Sequence, residues 1–345
     1  MFTYHYKLFD STYIERHGLA PTEFTVGQHF VHRPGITMSQ QENVNDALDS
    51  HNGAMLHFDE QYARNTAWQR PLMVSTLTVQ RLLGMASKTF ARQTRIVRMG
   101  SIAMTAPVFG GDTLYAETLV KNVHQPNPDG TMLLSLRTSG INQNGKIVAE
   151  IDYEISMLCG VAKSEMGMPA TDPRFASHLI REDGALVEQM GLFFEDLRAG
   201  ETFIHSPRRT FMPEEAMLHA ARALDVTPHY YDSALASSNG RQHLVIPQTW
   251  VLSVTAALST RLLGRVTTNL GWVDVEFGAE VVAGDTLEVQ TTVLALRDSS
   301  SRPNEGIATV ATLAKNQRQE TCLSYQRTLF VYRRGDGSPY AKSGY

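Results

Sequence analysis

The 345-residue chain is 42% hydrophobic and 19% charged, with a formal net charge of -4. These ordinary globular values supply no field to recruit nucleic acid or an anionic membrane as the main partner. At roughly 150 residues per domain the length accommodates two cores. The two cysteines, Cys159 and Cys322, stand far apart outside any CxxC, which argues against a disulfide framework or a cysteine zinc site and fits a reducing cytoplasm.

Residues 1–20 mix acidic with apolar residues and contain no continuous apolar run. They read as an N-terminal extension of a protein that is neither exported nor anchored, and no stretch approaches the roughly 18 apolar residues of a membrane span. At Phe24 begins "FTVGQHFVHRPGITM", which returns as "LRAGETFIHSPRRTF" from Leu197, an offset of 173 residues. Gly27, Phe30, His32, Pro34 and Thr37 meet Gly200, Phe203, His205, Pro207 and Thr210. Farther on, Gly111-Asp112-Thr113-Leu114 meets Gly284-Asp285-Thr286-Leu287 at the same offset. GDTL alone is only a turn before a strand, but two anchors at one offset indicate duplication.

Each copy is expected to run in the same order. A helix starts near Thr37 or Thr210, where a hydroxyl is followed by acids. An irregular loop follows, then a long apolar segment, Pro71 to Phe90 or Leu244 to Gly264. The spacing of Leu77, Leu82 and Met85, and of Val251, Val254 and Leu258, predicts buried central helices. Three alternating segments then read as strands, 114–123, 131–142 and 146–158 in the first copy and 287–297, 307–317 and 321–334 in the second. Strands after one long helix predict an α+β fold, a bent antiparallel sheet around a central helix. The expected units are a first domain at 21–160, a linker at 161–191 passing over the surface, a second domain at 192–335 and a disordered tail at 336–345.

Two copies of helix start, irregular His/Asp loop, central helix and GDTL strand resemble the tandem, double hot-dog fold of the MaoC-like acyl-CoA dehydratases. "MLHFDEQYA" before "RPLMVSTLTV", and "NLGWVDVEF" and "SSRPNEGIATV" in the second copy, carry the resemblance over residues 20 to 335. The length, the duplication and "HFD" look most similar to the mesaconyl-CoA hydratase (β-methylmalyl-CoA dehydratase) subgroup. The resemblance implies a hydro-lyase that reversibly adds water to an α,β-unsaturated acyl-CoA thioester, with no cofactor beyond the CoA ester itself. It also implies two halves packed like a hot-dog dimer, with sheets side by side, and further homo-oligomerisation.

The family loop carries D-x-N-P-x-H-x-D. Its His falls on His57 and its last Asp on Asp59, but the catalytic Asp falls on Asn52, which cannot take a proton. The second copy has Asp225 at that position and Tyr230 in place of the imidazole, with His229 adjacent. On this reading His57 is the acid/base, Asn52 orients water, and the amides around Ser75 and Thr76 at the helix start bind the thioester oxygen. Asp59 either caps the following helix or, like Asp49, serves as a carboxylate partner. Asp225 and His229 either take part or survive as wall residues. Arg95, Arg98 and Arg302 are candidate CoA-phosphate contacts, and Arg70 a candidate for a free acyl carboxylate. His32 and His205 read as structural strand-end residues. Neither HExxH nor a phosphate loop is present, so metal and nucleotide chemistry are not expected. Thioester hydrolysis and non-catalytic acyl-CoA binding are the alternatives.

Overall fold

The computed structural model describes residues 1–16, 18–160 and 167–340. In chain order the elements are β1 (His5–Phe9), β2 (Thr12–Glu15), β3 (His29–Thr37), α1 (Gln40–Asp49), α2 (Glu60–Arg64), α3 (Ser75–Ala86), β4 (Gln93–Met104), β5 (Thr113–Val123), β6 (Thr131–Asn142) and β7 (Ile147–Leu158). There follow β8 (Met168–Pro169), β9 (His178–Ile180), β10 (Leu186–Glu188), β11 (Thr202–Ile204), β12 (Arg209–Thr210), α4 (Glu214–Arg222), α5 (Ser233–Ser238), α6 (Gln248–Leu258) and α7 (Thr260–Leu263). The last strands are β13 (Val266–Phe277), β14 (Thr286–Asp298), β15 (Glu305–Lys315) and β16 (Thr321–Tyr332).

Each copy is an antiparallel sheet on a central helix, the double hot-dog α+β architecture. Strands β5 and β6 alternate between buried and half-buried residues, as a sheet with one face on the core must. Against that face lies α3, burying Leu77, Thr78, Val79, Leu82 and Ala86; each fully buried Leu or Val contributes about 1.5–3 kcal/mol. In the second copy α6 buries Val251, Val254 and Thr255. Met85 and Leu258 are only partly buried.

Three expectations need correction. The stretch 161–191 is not a surface linker throughout: residues 161–166 lie outside the described residues, but beyond them come β8, β9 and β10, with Phe175, His178 and Glu188 buried. The N-terminal residues are likewise strands, and the hairpins β1–β2 and β9–β10 are themselves a further piece of the repeat. His5, Glu15 and Gly18 meet His178, Glu188 and Gly191 at the 173 offset. Each hairpin joins the sheet of the other copy, β2 pairing parallel with β11 and β10 parallel with β3. The second correction follows. The sheets run β4-β7-β6-β5-β3-β10-β9 and β13-β16-β15-β14-β11-β2-β1-β8, so the halves are tied by exchanged hairpins, and the outer strands β4 and β13 do not pair with each other. Third, the described part of the tail is packed: Ser338 is buried, and the Tyr340 ring meets Phe193 and Tyr332. Residues 341–345 lie outside the described residues.

Candidate active site

Between α1 and α3 the chain makes an irregular excursion. His51 takes a left-handed backbone, φ 58°, and a single 3-10 turn spans Met55–His57. The segment Leu72–Val74 is then held against β4's neighbourhood by Met73 N–H donating to Val108 O at 2.9 Å, which sets where α3 starts. The imidazole of His57 is fixed by that segment: its Nδ1 lies 2.8 Å from Leu72 O. A carbonyl only accepts, so Nδ1 carries a hydrogen, and the neutral tautomer this selects has Nε2 as its acceptor. Nε2 has no partner among the described residues. The group behind His57, for which Asp49 and Asp59 were candidates, is a main-chain carbonyl.

A residue absent from the sequence reading organises the corner. Asn43, on α1 and with no exposed surface, donates through Nδ2 to His57 O at 2.9 Å and Leu72 O at 3.1 Å, and accepts from Val74 N at 2.8 Å. Gln40 Nε2 adds a donor to His57 O at 2.8 Å. The turn bearing His57 and the chain leading into α3 are thus bonded to one amide. In the second copy the position of Asn43 is Ala216, and that of His57 is Tyr230. Comparing the copies was the available signal.

The structure brings His57, Ser75 and Thr76 to one corner. Ser75 opens α3, and no side chain caps that end, so the first amides of the helix face outward with the favourable end of its dipole. Ser75 and Thr76 are both exposed. Asn52 accepts from Ala54 N at 3.1 Å through Oδ1, leaving its amide NH2 for a ligand. Asp59 is the N-cap of α2, accepting from Tyr62 N at 3.0 Å. Asp49 ends α1 at the exposed surface. The Arg70 guanidinium lies 3.7 Å from the centroid of Phe109, whose backbone bridges Leu72, so it stands at the margin of this corner. Arg95 and Arg98 lie on the exposed edge strand β4. Arg302 belongs to the second sheet, bonded to Glu305 at 3.2 Å and lying over the Phe330 ring.

The second copy repeats the loop with Tyr230 at the position of His57. Asp225 accepts from Thr227 N at 2.9 Å, the counterpart of the Asn52 turn, and the bonds from Thr227 hold its carboxyl below the usual range. Asp232 caps α5 at 2.9 Å as Asp59 caps α2. His229 and Tyr230 line a cavity of about 150 Å³ with Gln248 and Val251. Burial and the nearby Asp225 raise the pKa of the Tyr230 hydroxyl, and the backbone at Gln248 opposes them. Gln248 is the first residue of α6 and the counterpart of Ser75. In the second copy a phenol thus lines a cavity together with the residue that opens the central helix. Among the described residues no group of three His, Cys, Asp or Glu converges as a metal site, and no helix is long and apolar enough to cross a membrane.

Sequence comparison divides the chain at the same place. The family model described as MaoC like domain matches residues 22–133, the copy that carries His57, and the model described as Mesaconyl-CoA hydratase matches residues 170–342. A mesaconyl-CoA hydratase from Cereibacter sphaeroides is 32% identical over 165 residues, 43% of this chain and 43% of that protein. Another from Haloarcula hispanica is 30% identical over 154 residues, 44% of this chain and 43% of that one. The chain thus spans less than half the length of the curated relatives it matches. A solved MaoC-like dehydratase from Rhodospirillum rubrum is 28% identical with a TM-score of 0.37, over 42% of this chain and 99% of that one. Since the Mesaconyl-CoA hydratase model accounts for half of the chain, from the second exchanged hairpin through β16, the chain belongs to the mesaconyl-CoA hydratase family.

Proposed function

We propose that this chain is a hydro-lyase that reversibly adds water across the double bond of an α,β-unsaturated acyl-CoA, with mesaconyl-CoA and β-methylmalyl-CoA as the substrate pair. The observation that carries the proposal is the His57 imidazole, bonded through Nδ1 to Leu72 O and offering Nε2 beside the start of α3. In hydration, Nε2 takes a proton from a water positioned by the Asn52 amide as the hydroxyl adds to Cβ. The thioester oxygen, negative in the enolate, is met by the amides at Ser75 and Thr76. The imidazolium then returns its proton to Cα, so one residue balances the reaction. Asp59 holds α2 in this scheme and moves no proton. Arg70 offers a planar cation to a free acyl carboxylate. Arg95 and Arg98 are assigned to the CoA phosphates, no cofactor is required, and the protein works in the cytoplasm.

Homo-oligomerisation belongs to the same proposal. Along β4, Ile96, Val97, Met99, Ile102 and Met104 are exposed, and along β13, Leu270, Trp272, Val273, Val275 and Phe277. Long apolar edge strands are surfaces that stable proteins cover.

The test is the loss of enoyl-thioester absorbance when the full chain is mixed with mesaconyl-CoA or crotonyl-CoA. The expected result is hydration that falls about 10²–10⁴-fold in His57→Ala, with the far-UV spectrum unchanged. Release of CoA thiol with the double bond intact would support thioester hydrolysis instead. Turnover that survives His57→Ala would overturn the role of His57.

A further inference from the structure

Where the exchanged hairpins cross between the copies lies a cavity of about 120 Å³, away from the His57 loop. Lys88, Arg174 and Arg261 line it together with His5, Tyr4 and Gln189, and no carboxylate is among the lining residues. Lys88 and Arg261 occupy the same position in the two copies, 173 residues apart, each just beyond its central helix, Arg261 in α7. The nearby carboxylates have partners of their own, Lys88 among them. Glu188 is bonded by His32 at 3.0 Å, with Lys88 3.4 Å away, and Glu15 by His205 at 3.0 Å and Ser206 N at 3.1 Å. Arg174 is committed to Glu201 and Asp172.

Two groups remain with unmet hydrogen-bonding capacity. His5 is 8% exposed, and neither ring nitrogen has a partner among the described residues. Its ring is fixed by Phe175, centroids 4.7 Å apart, and by Phe203 at 5.9 Å. Arg261 donates through Nη1 to Ser206 O at 3.2 Å, but its buried Nε and Nη2 have no partner among the described residues. The counterpart of His5 behaves differently: His178 meets Ser177 at 3.0 Å and Thr89 at 3.1 Å. Buried donors are normally satisfied, so the unmet ones on a single side of a pseudo-symmetric junction point to a ligand. The volume exceeds several times the ~30 Å³ of a water molecule and is far too small for a CoA ester.

We infer that this cavity is a binding site for a small oxyanion of the phosphate, sulfate or short-carboxylate class, gripped by Arg261 and His5. The ion clamps the two hairpins where they cross. The inference is independent of the reaction at His57.

The test titrates inorganic phosphate, sulfate and acetate into the full chain at constant ionic strength in chloride, followed by calorimetry and by the thermal midpoint. The expected result is saturable 1:1 binding with a rising midpoint, and the preferred anion distinguishes tetrahedral from planar ligands. Arg261→Met should weaken binding at least about tenfold, in line with hydrogen bonds to charged groups. His5→Phe keeps the packing on Phe175 and Phe203 and should weaken binding in the same direction, which decides the matter if the arginine variant fails to fold. Crystals soaked in selenate should show an anomalous peak between His5 and Arg261. Absence of a saturable response to all three anions would overturn the inference, as would binding undiminished in His5→Phe or a selenate peak outside the cavity.

Discussion

Asn43 carries no charge and touches no substrate in the proposed reaction, yet both ends of its amide hold the corner in which His57 sits. Asn43→Ala removes its hydrogen bonds and leaves the buried Val74 N–H without an acceptor, while His57 O keeps Gln40 and Leu72 O keeps the imidazole, so stability should fall by about 1–3 kcal/mol in urea unfolding. Turnover of the remaining folded protein should fall with it, because the imidazole and the helix start lose their common support. Acid should also weaken the fold. Burial pushes His178 down to about 3 and His5 to about 4, from an ordinary 6.5. As pH falls below 6.5 the unfolded chain takes up these protons first, so the stability they contribute is complete above 6.5 and is lost as pH drops toward 4 and then 3. Burial alone would raise Glu188, but Lys88 and His32 hold it below its usual value, a contribution of the same sign that is lost below about 4.5. The urea midpoint should therefore be flat from pH 7 to 8 and fall between pH 6.5 and 4. His178→Phe should flatten part of that fall; an unchanged profile would contradict the assignment. His57 was legible because an imidazole near a helix start is chemically conspicuous. Asn43 was not, because an amide within a helix reads as surface until its carbonyl partners are known.

At the scale of elements, the exchanged hairpins bind each copy to the other through a repeated buried cluster. His32 meets Glu188 at 3.0 Å and Thr118 at 2.8 Å, and His205 meets Glu15 at 3.0 Å and Thr291 at 2.8 Å. His32 and His205 are thus structural. Gly18 and Gly191 repeat the close approach at the hairpin exits: their φ angles are 57° and 75°, and a Cβ would come 2.7 Å from Ala91 N and 2.6 Å from Gly264 N. Any side chain there would be strained and in collision. Because the partner of each histidine comes from the other copy, damage should cross over. Glu15→Ala strips His205 of its buried partner and should cost about 3–5 kcal/mol. In hydrogen exchange, protection should fall first in β11 and β14 of the second sheet, while β3 and β5 stay protected. Glu188→Ala should reverse the pattern. The central helices and the last three strands of each copy were legible from 3.6- and 2-residue periodicity, whereas β4 and β13, exposed along their length, were not. The hairpins were not, because their strands are three to five residues long and their partners lie in the other copy.

For the whole molecule, the exchange makes two similar domains into one cooperative unit. The full chain should show one calorimetric transition with equal calorimetric and van't Hoff enthalpies. Residues 1–160 and 167–345 should each be poorly folded alone and recover structure when coexpressed; two separate transitions in the intact chain would refute this coupling. The sequence by itself determined the duplication, the central helix and the three strands that close each copy, the α+β class and the place of His57, because these depend on local periodicity, turn residues and a fixed offset. Tertiary structure alone decided which copy each hairpin serves, that Leu72 O rather than a carboxylate orients His57, and that Asn43 ties the His57 turn to the start of α3. Those outcomes arise from hydrogen bonds between residues far apart in the chain, and no local pattern encodes which distant donor will reach a given acceptor.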